Sequence, residues 1–171
     1  RRVLFRSAWE WSTFALYFFD VTVLQALLKT LMLAATSALL GFTGGVVLAA
    51  MRLSRNVVSQ AASWLFVWLF RSIPLIVLLL FWGNINYLYG ELTVGIPFGP
   101  TFGSYDTLSI ISVTAAAVIG LSLHESAYFA EIVRSGILSV DQGQSEASTA
   151  LGIPKRVHFF RIVLPQAMRS I

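Results

Sequence analysis

Cysteine is absent from the 171 residues, and its absence excludes disulfides, thiolate metal sites and cysteine nucleophiles. Charge is scarce as well. Asp, Glu, Lys and Arg supply 12% of the chain, about half of the roughly 25% usual in a soluble domain. No G-x-x-x-x-G-K-[ST] run occurs, so there is no phosphate cradle, and the chain is not expected to hydrolyse ATP alone. A net charge of +4 does not call for nucleic acid in so apolar a chain. What it reports is the side of a bilayer on which Lys and Arg lie. The first residue is Arg1 rather than Met, and Ile171 follows soon after Pro165. Both ends are therefore expected to be truncated, and no cleavable signal peptide is read.

In place of charge there is hydrocarbon. Hydrophobic residues make up 57% of the chain, with a mean hydropathy of +0.77. Thr30 to Met51 is 22 residues without a charge, and Ser72 to Gly90 is another 19. A helix crosses the hydrocarbon core with about 20. The pattern predicts an all-α, polytopic transmembrane helix bundle. Residues 1–22 mix Trp, Phe and Tyr with charges, which suits an interfacial segment. Residues 23–171 read as one membrane domain.

Within the first span, Ser37, Gly41, Gly45 and Ala49 recur at steps of four, a small-residue stripe that lets another helix approach closely. Val57 to Gly90 is 34 residues, which at ~1.5 Å per residue would make about 50 Å of helix, too long for one straight span. A kink near Arg71–Pro74, or a part outside the lipid, is expected. Residues 90–106 are rich in Gly and Pro, hold Glu91 and Asp106 and lack Lys and Arg, the composition of an external loop. A third span follows from about Thr107 to about Arg134, and a further helix is expected to begin at Pro165. The positive-inside rule places 51–56, with Arg52 and Arg55, in the cytoplasm. It places 135–165, with Lys155, Arg156 and Arg161, there too, and 90–106 outside. Arg1, Arg2 and Arg6 would then fall outside, against the rule, unless they lie at the interface.

The third span carries His124, Glu125, Glu131 and Arg134. Ionisable groups at membrane depth cost roughly 2.5–3.5 kcal/mol each on insertion scales, so they face a partner or a cavity. His124, Tyr128 and Glu131 share a helical face. Glu131 and Arg134, three apart, suit an ion pair that is either structural or part of a transport route. His124 and Glu125 lie deeper; either they satisfy polar groups in the bundle or one of them faces a substrate path. A carboxylate there would hold an ammonium or guanidinium group.

In 139–165, Asp141 followed by Gln144 fits a capped helix start. Ala147, Ala150 and Leu151 share a face, Gly152 suits a left-handed stop, and Pro154 suits the first turn of a second helix. An ordinary solvated αα-hairpin is one reading. The other is a helix made to enter a partner's groove, because its small face buries little of its own.

Glu146-Ala147-Ser148, three residues, Gly152, nine residues and Ile162-x-Leu164-Pro165 resembles the loop signature of permease subunits of binding-protein-dependent ABC importers. Ser148, where the signature has Ala, is the one departure. The runs 30–54, 70–82 and 126–155 resemble the polar amino acid subfamily, with Ser72-Ile73 in place of Gly-Thr before Pro74 and Ser126 in place of Ala. His124-Glu125 stands where small or Asn-like residues are more usual.

The resemblance implies a bundle of the type I ABC importer permease kind, with about five spans in the full protein and the last span or spans missing here. It also implies several partners: a second permease subunit in a homo- or heterodimer, two cytoplasmic ATPase subunits, an extracytoplasmic solute-binding protein and the lipid bilayer, but no nucleic acid. The location implied is the bacterial cytoplasmic (inner) membrane, and the cargo a polar amino acid. Glu146, Ala147, Ser148, Leu151, Gly152 and Pro154 would dock the ATPase, and His124, Glu125 and Tyr128 would line the pathway. No catalytic residue, metal or cofactor is expected in this chain; ATP and Mg would sit in the partner ATPase. The alternatives are an ABC permease for another solute, a proton-coupled secondary transporter, a membrane-embedded enzyme and a purely structural subunit.

Overall fold

The computed structural model describes residues 11–96 and 99–171. The first ten residues of the expected interfacial segment lie outside it. The described residues fall into two compact units, one up to Thr36 and one from Ser37 onward. Helix α2, Val21–Arg52, begins in the first unit and ends in the second.

In the first unit, α1 (Trp11–Phe18) buries nothing. Its exposed rings stack in a chain, Trp11 on Phe14 and Phe14 on Phe18, at centroid separations of 5.9 and 5.2 Å. Asp20 precedes α2 and accepts the Thr22 N–H at 2.8 Å, supplying one of the partners a helix start lacks. Hydrogen bonds from the Thr22 side chain and backbone hold the Asp20 carboxyl below its usual range.

In the second unit the core is built from small side chains. Ser37, Gly41, Gly45 and Ala49 are the buried residues of α2, the stripe with a period of four. They face α7 (Val113–Leu138), whose buried residues are Ala116, Gly120, Ser126, Ala127, Ala130 and Gly136. A Cβ on Gly41 would stand 2.5 Å from Glu125 Cβ, and one on Gly45 would press on Phe129 and stand 3.0 Å from the Ala130 nitrogen. The backbones meet where no side chain fits, and large apolar residues such as Leu39, Leu40 and Val47 point outward. Lipid tails are as apolar as Leu, so close packing rather than hydrophobic burial joins such helices.

Helix α3 (Val57–Ser72) is capped by Asn56, whose side chain accepts from Val58 and Ser59. It ends because Ile73, ahead of Pro74, is extended at φ −91°, ψ 125°, the conformation a following proline enforces. Helix α4 (Leu75–Gly83) leaves at 95° to α3, so the expected kink is there and is nearly a right angle. Both helices pack on α7, and Ser63 fastens α3 to α2 by donating to the Leu48 carbonyl at 2.7 Å. By length and apolarity α2 and α7 can each cross a membrane, and the α3–α4 pair counts as a broken third.

After the short α5 (Ile85–Leu88), the expected loop is an antiparallel hairpin. Strands β1 (Glu91–Gly95) and β2 (Thr101–Asp106) pair Glu91 with Asp106 and Thr93 with Ser104. The register is broken by a bulge at Val94/Gly95, and Gly103 pairs with Val94 inside the ladder. Buried Thr107 closes the base, taking a backbone bond from its N–H to Gly90 at 3.0 Å and a hydroxyl bond to the Tyr89 carbonyl. The third span starts later than expected, because α6 (Thr107–Ile110) stops at Ile111 and α7 restarts on a Ser112 cap.

Helix α8 (Gln142–Ala150) is followed by α9 (Lys155–His158). The chain stays helical through a π turn, Phe159–Val163, into α10 (Leu164–Ala167). Pro165 therefore sits inside a helix instead of starting one. The π turn accommodates it by shifting the Leu164 N–H onto the Phe159 carbonyl, since proline has no N–H to continue the ladder.

Replacing Gly45 by Val should cost about 1–3 kcal/mol through overpacking. Gly83→Ala, where a Cβ would meet nothing within 4 Å, should change little. Thermal unfolding of the two variants in detergent checks the difference.

Candidate functional site

Two places concentrate polar chemistry. The first is an open cleft of about 440 Å³ between the end of α2, one face of α3 and α7. Helix α3 contributes Trp64, Val67, Trp68, Arg71 and Ser72, spaced as one helical stripe. Arg52 enters from α2, and Tyr128 and Glu131 enter from α7. Arg71 lies over the Tyr128 ring, 5.2 Å from its centroid, a cation–π contact. The Tyr128 ring in turn packs on His124 at 4.7 Å. Trp64 and Trp68 stack at 6.2 Å and 10°.

Glu131 accepts two hydrogen bonds from Arg134, at 3.0 and 2.7 Å. Glu131 is thus paired, whereas Arg52 Nη1 is buried without a partner among the described residues. The cleft therefore presents guanidinium groups whose charge exceeds what its single carboxylate cancels. Such a surface suits a ligand with a carboxylate, because a guanidinium binds that group in a bidentate fork.

Of the residues expected along the pathway, Tyr128 lines the cleft and His124 stands behind it, with Nδ1 buried and unpartnered among the described residues. Glu125 is on another face, its Cβ against Gly41 of α2, and does not line the cleft. Arg52, Arg71, Trp64 and Trp68 were not among the expected site residues. Their signal in the sequence was the stripe at 64, 67, 68, 71 and 72, ending in an arginine beside a proline.

The second place is α8 and the bend after it. Asp141 caps α8 by accepting from Gly143 at 2.6 Å. Gly152 has φ +66°, and bonds from Gly152 to the Thr149 carbonyl and from Ile153 to the Ser148 carbonyl, at 3.0 and 2.9 Å, close the helix in a Schellman stop. Pro154 stands at the cap position before α9 rather than inside its first turn. Glu146, Ala147 and Ala150 are exposed, and Leu151 is 77% exposed. Glu146 has no hydrogen-bond or ion-pair partner among the described residues. Ser148, the signature's one departure, is the only buried residue of α8. It bonds to His158, a residue no motif singles out.

A family model described as "Binding-protein-dependent transport system inner membrane component" matches residues 41–171. The arginine transport system permease protein ArgU of Corynebacterium glutamicum is 45% identical over 96% of this chain and 50% of its own length. A probable amino-acid permease protein, YxeN of Bacillus subtilis, is 35% identical over 87% of this chain and 60% of its own. The glutamate/aspartate import permease protein GltK of Escherichia coli O157:H7 is 34% identical over 87% and 62%. The chain thus spans about half to three-fifths of the length of these relatives. Among solved structures, a crystal structure of an amino acid ABC transporter with histidines matches at a TM-score of 0.65 and 29% identity. That match covers 84% of this chain and 59% of the other.

Glu131→Gln should weaken the partly buried pair and leave Arg134 without its anion, lowering stability by about 1.5–3 kcal/mol. Pairing it with Arg134→Gln should recover part of that loss. A double-mutant cycle on unfolding midpoints in detergent measures the coupling.

Proposed function

We propose that this chain, which belongs to the family of binding-protein-dependent transport system inner membrane components, is the permease part of an ATP-driven importer of a polar amino acid or a closely related small solute. In this reading it works in the bacterial cytoplasmic membrane beside a second permease subunit. Two ATPase subunits dock on 139–165 from the cytoplasm, and a solute-binding protein delivers cargo to the outer face. The orientation rests on the basic residues of 51–56 and 135–165 and their absence from 90–106.

The observation that carries the proposal is α8. It is a short helix with its small side chains outward, Leu151 standing free beside them and a left-handed glycine fixing where it stops. A helix that leaves such a face uncovered offers it to a groove in a partner. Movement of the ATPase groove then displaces α8 as a rigid element, and the displacement reaches the spans on either side. Glu146, unpaired among the described residues, is left to bond the partner.

Cargo recognition is assigned to the cleft and its surroundings. Arg71 and Arg52 suit a carboxylate. The relatives named for arginine and for glutamate/aspartate share this fold, so the side chain selected depends on local residues. Glu125, without a partner among the described residues and turned from the cleft toward α2, would favour a cationic cargo only on a path along that face.

In proteoliposomes holding the full-length permease, its ATPase and its binding protein, Gly152→Val forces a β-branched residue to positive φ, a cost of at least 1–2 kcal/mol. Gly152→Val and Glu146→Lys should each cut ATP-driven uptake more than tenfold while the permease stays in the membrane. Undiminished uptake by Gly152→Val, or uptake driven by a proton gradient without ATP, overturns the reading. Glu125→Gln and His124→Ala should alter the ranking of competing amino acids in the same assay. An unchanged ranking and rate in both variants removes these two residues from the pathway.

A further inference from the structure

We propose that His158 is a positioning residue, whose imidazole clamps α8 to the helix that follows so that displacement of α8 crosses the Gly152 bend instead of being absorbed there. The proposal rests on the reading of α8 as the docking element, but the clamp itself is a matter of geometry.

The link between the two helices is only Leu151-Gly152-Ile153-Pro154, and a side chain at Gly152 would meet nothing within 4 Å. The bend is open on the Gly152 side, although Ile153 is partly buried. Helix α8 buries a single residue, Ser148, at 5% exposure, and that residue faces His158. The His158 ring, at the end of α9, reaches back over the bend to two serines one helical turn apart. Its Nδ1 stands 2.9 Å from Ser148 Oγ, and its Nε2 stands 3.1 Å from Ser145 Oγ.

Proton accounting fixes who donates. The single hydroxyl proton of Ser148 goes to the Gln144 carbonyl at 2.7 Å. Ser148 therefore accepts at its oxygen, and His158 Nδ1 carries the proton that it gives. In the neutral ring Nε2 is then the acceptor, so Ser145 donates to it. Adding a second proton to the ring only reverses the Ser145 bond, because a hydroxyl also accepts. Two hydrogen bonds from one rigid ring fix a direction, which one bond to a flexible side chain does not. The next residue, Phe159, opens the π turn that continues toward α10. From there Ala167 and Ile171 sit against Gly136 of α7. His158 thus joins α8 to a continuous helical path ending on a membrane-spanning helix.

The test uses the full-length permease assembled with its partners. These 171 residues hold no cysteine; with any cysteine elsewhere in the full-length permease and its partners replaced by serine, spin labels go on two introduced cysteines, Gln142→Cys and Arg161→Cys, both at exposed positions. The label-to-label distance distribution should be narrow in the parent. It should broaden in His158→Ala and in Ser148→Ala, and narrow again in His158→Gln, whose amide can donate to Ser148 and accept from Ser145. Solute moved per ATP hydrolysed should fall about five- to tenfold in His158→Ala and Ser148→Ala, as expected for one lost hydrogen bond of average strength. It should fall no further when the two are combined, and should recover in His158→Gln.

A distribution unchanged in His158→Ala overturns the clamp whatever transport does. A broadened distribution with normal transport per ATP, or losses that multiply in the double variant, overturns the positioning role. If Gly152→Val transports normally, the docking reading fails, and the label distances still report on the clamp.

Discussion

The second unit depends on how closely the latter half of α2 approaches α7. Three glycines, Gly41, Gly44 and Gly45, meet Glu125, Ser126 and Phe129 with no room for a Cβ. Dispersion forces act over a short range, and a gap of even 0.5–1 Å forfeits a quarter to a half of a contact's well depth. In lipid, where apolar side chains gain little by moving from tails to a neighbouring helix, this proximity supplies much of the cohesion. It also explains why α2 and α7 bury alanine, serine and glycine, while leucines and valines of α2 such as Leu39, Leu40 and Val47 stand outside. The close approach fixes α7, and α7 in turn carries Tyr128 and Glu131 of the cleft and receives α3, α4 and α10.

The same proximity sets the electrostatics. Because α2 and α3 are held against α7, the guanidinium groups of Arg52 and Arg71 line one cleft with Glu131. Glu131 is already held by Arg134. Bringing several cations near one anion is unfavourable unless the surroundings compensate. Here compensation comes from the Tyr128 ring under Arg71 and from the openness of the cleft to its surroundings. The cleft is left with a net attraction for negative charge.

Legibility in the sequence followed the range of the interaction. The stripe at 37, 41, 45 and 49 could be read because its period belongs to a single helix. The break at Pro74 and the stop at Gly152 could be read because each is a backbone rule acting within two residues. The Glu131–Arg134 pair is one turn long and could be named from spacing alone. The hairpin could not: Gly and Pro mark turns wherever they lie, and the strands between them are short. The cleft was hidden because three elements build it, and Arg71 and Arg52 separately looked like a kink marker and a topology marker. His158 was hidden for a similar reason, since its partners lie 10 and 13 residues back across a reversal of direction. Glu125 went to the α2 contact because the angle around a helix says which residues share a side, not which neighbour covers it.

The π turn at Phe159–Val163 also acts as a phase adjuster. A π turn holds about one residue more than an α turn, and one residue on a helix is about 100° of rotation. The turn therefore sets the azimuth of everything before it relative to the Ala167 seat on α7. Removing a single residue there would leave every motif intact in composition. It would nonetheless swing the face of α8 by more than a quarter of a circle, so where that face points depends on an angle as well as on a surface.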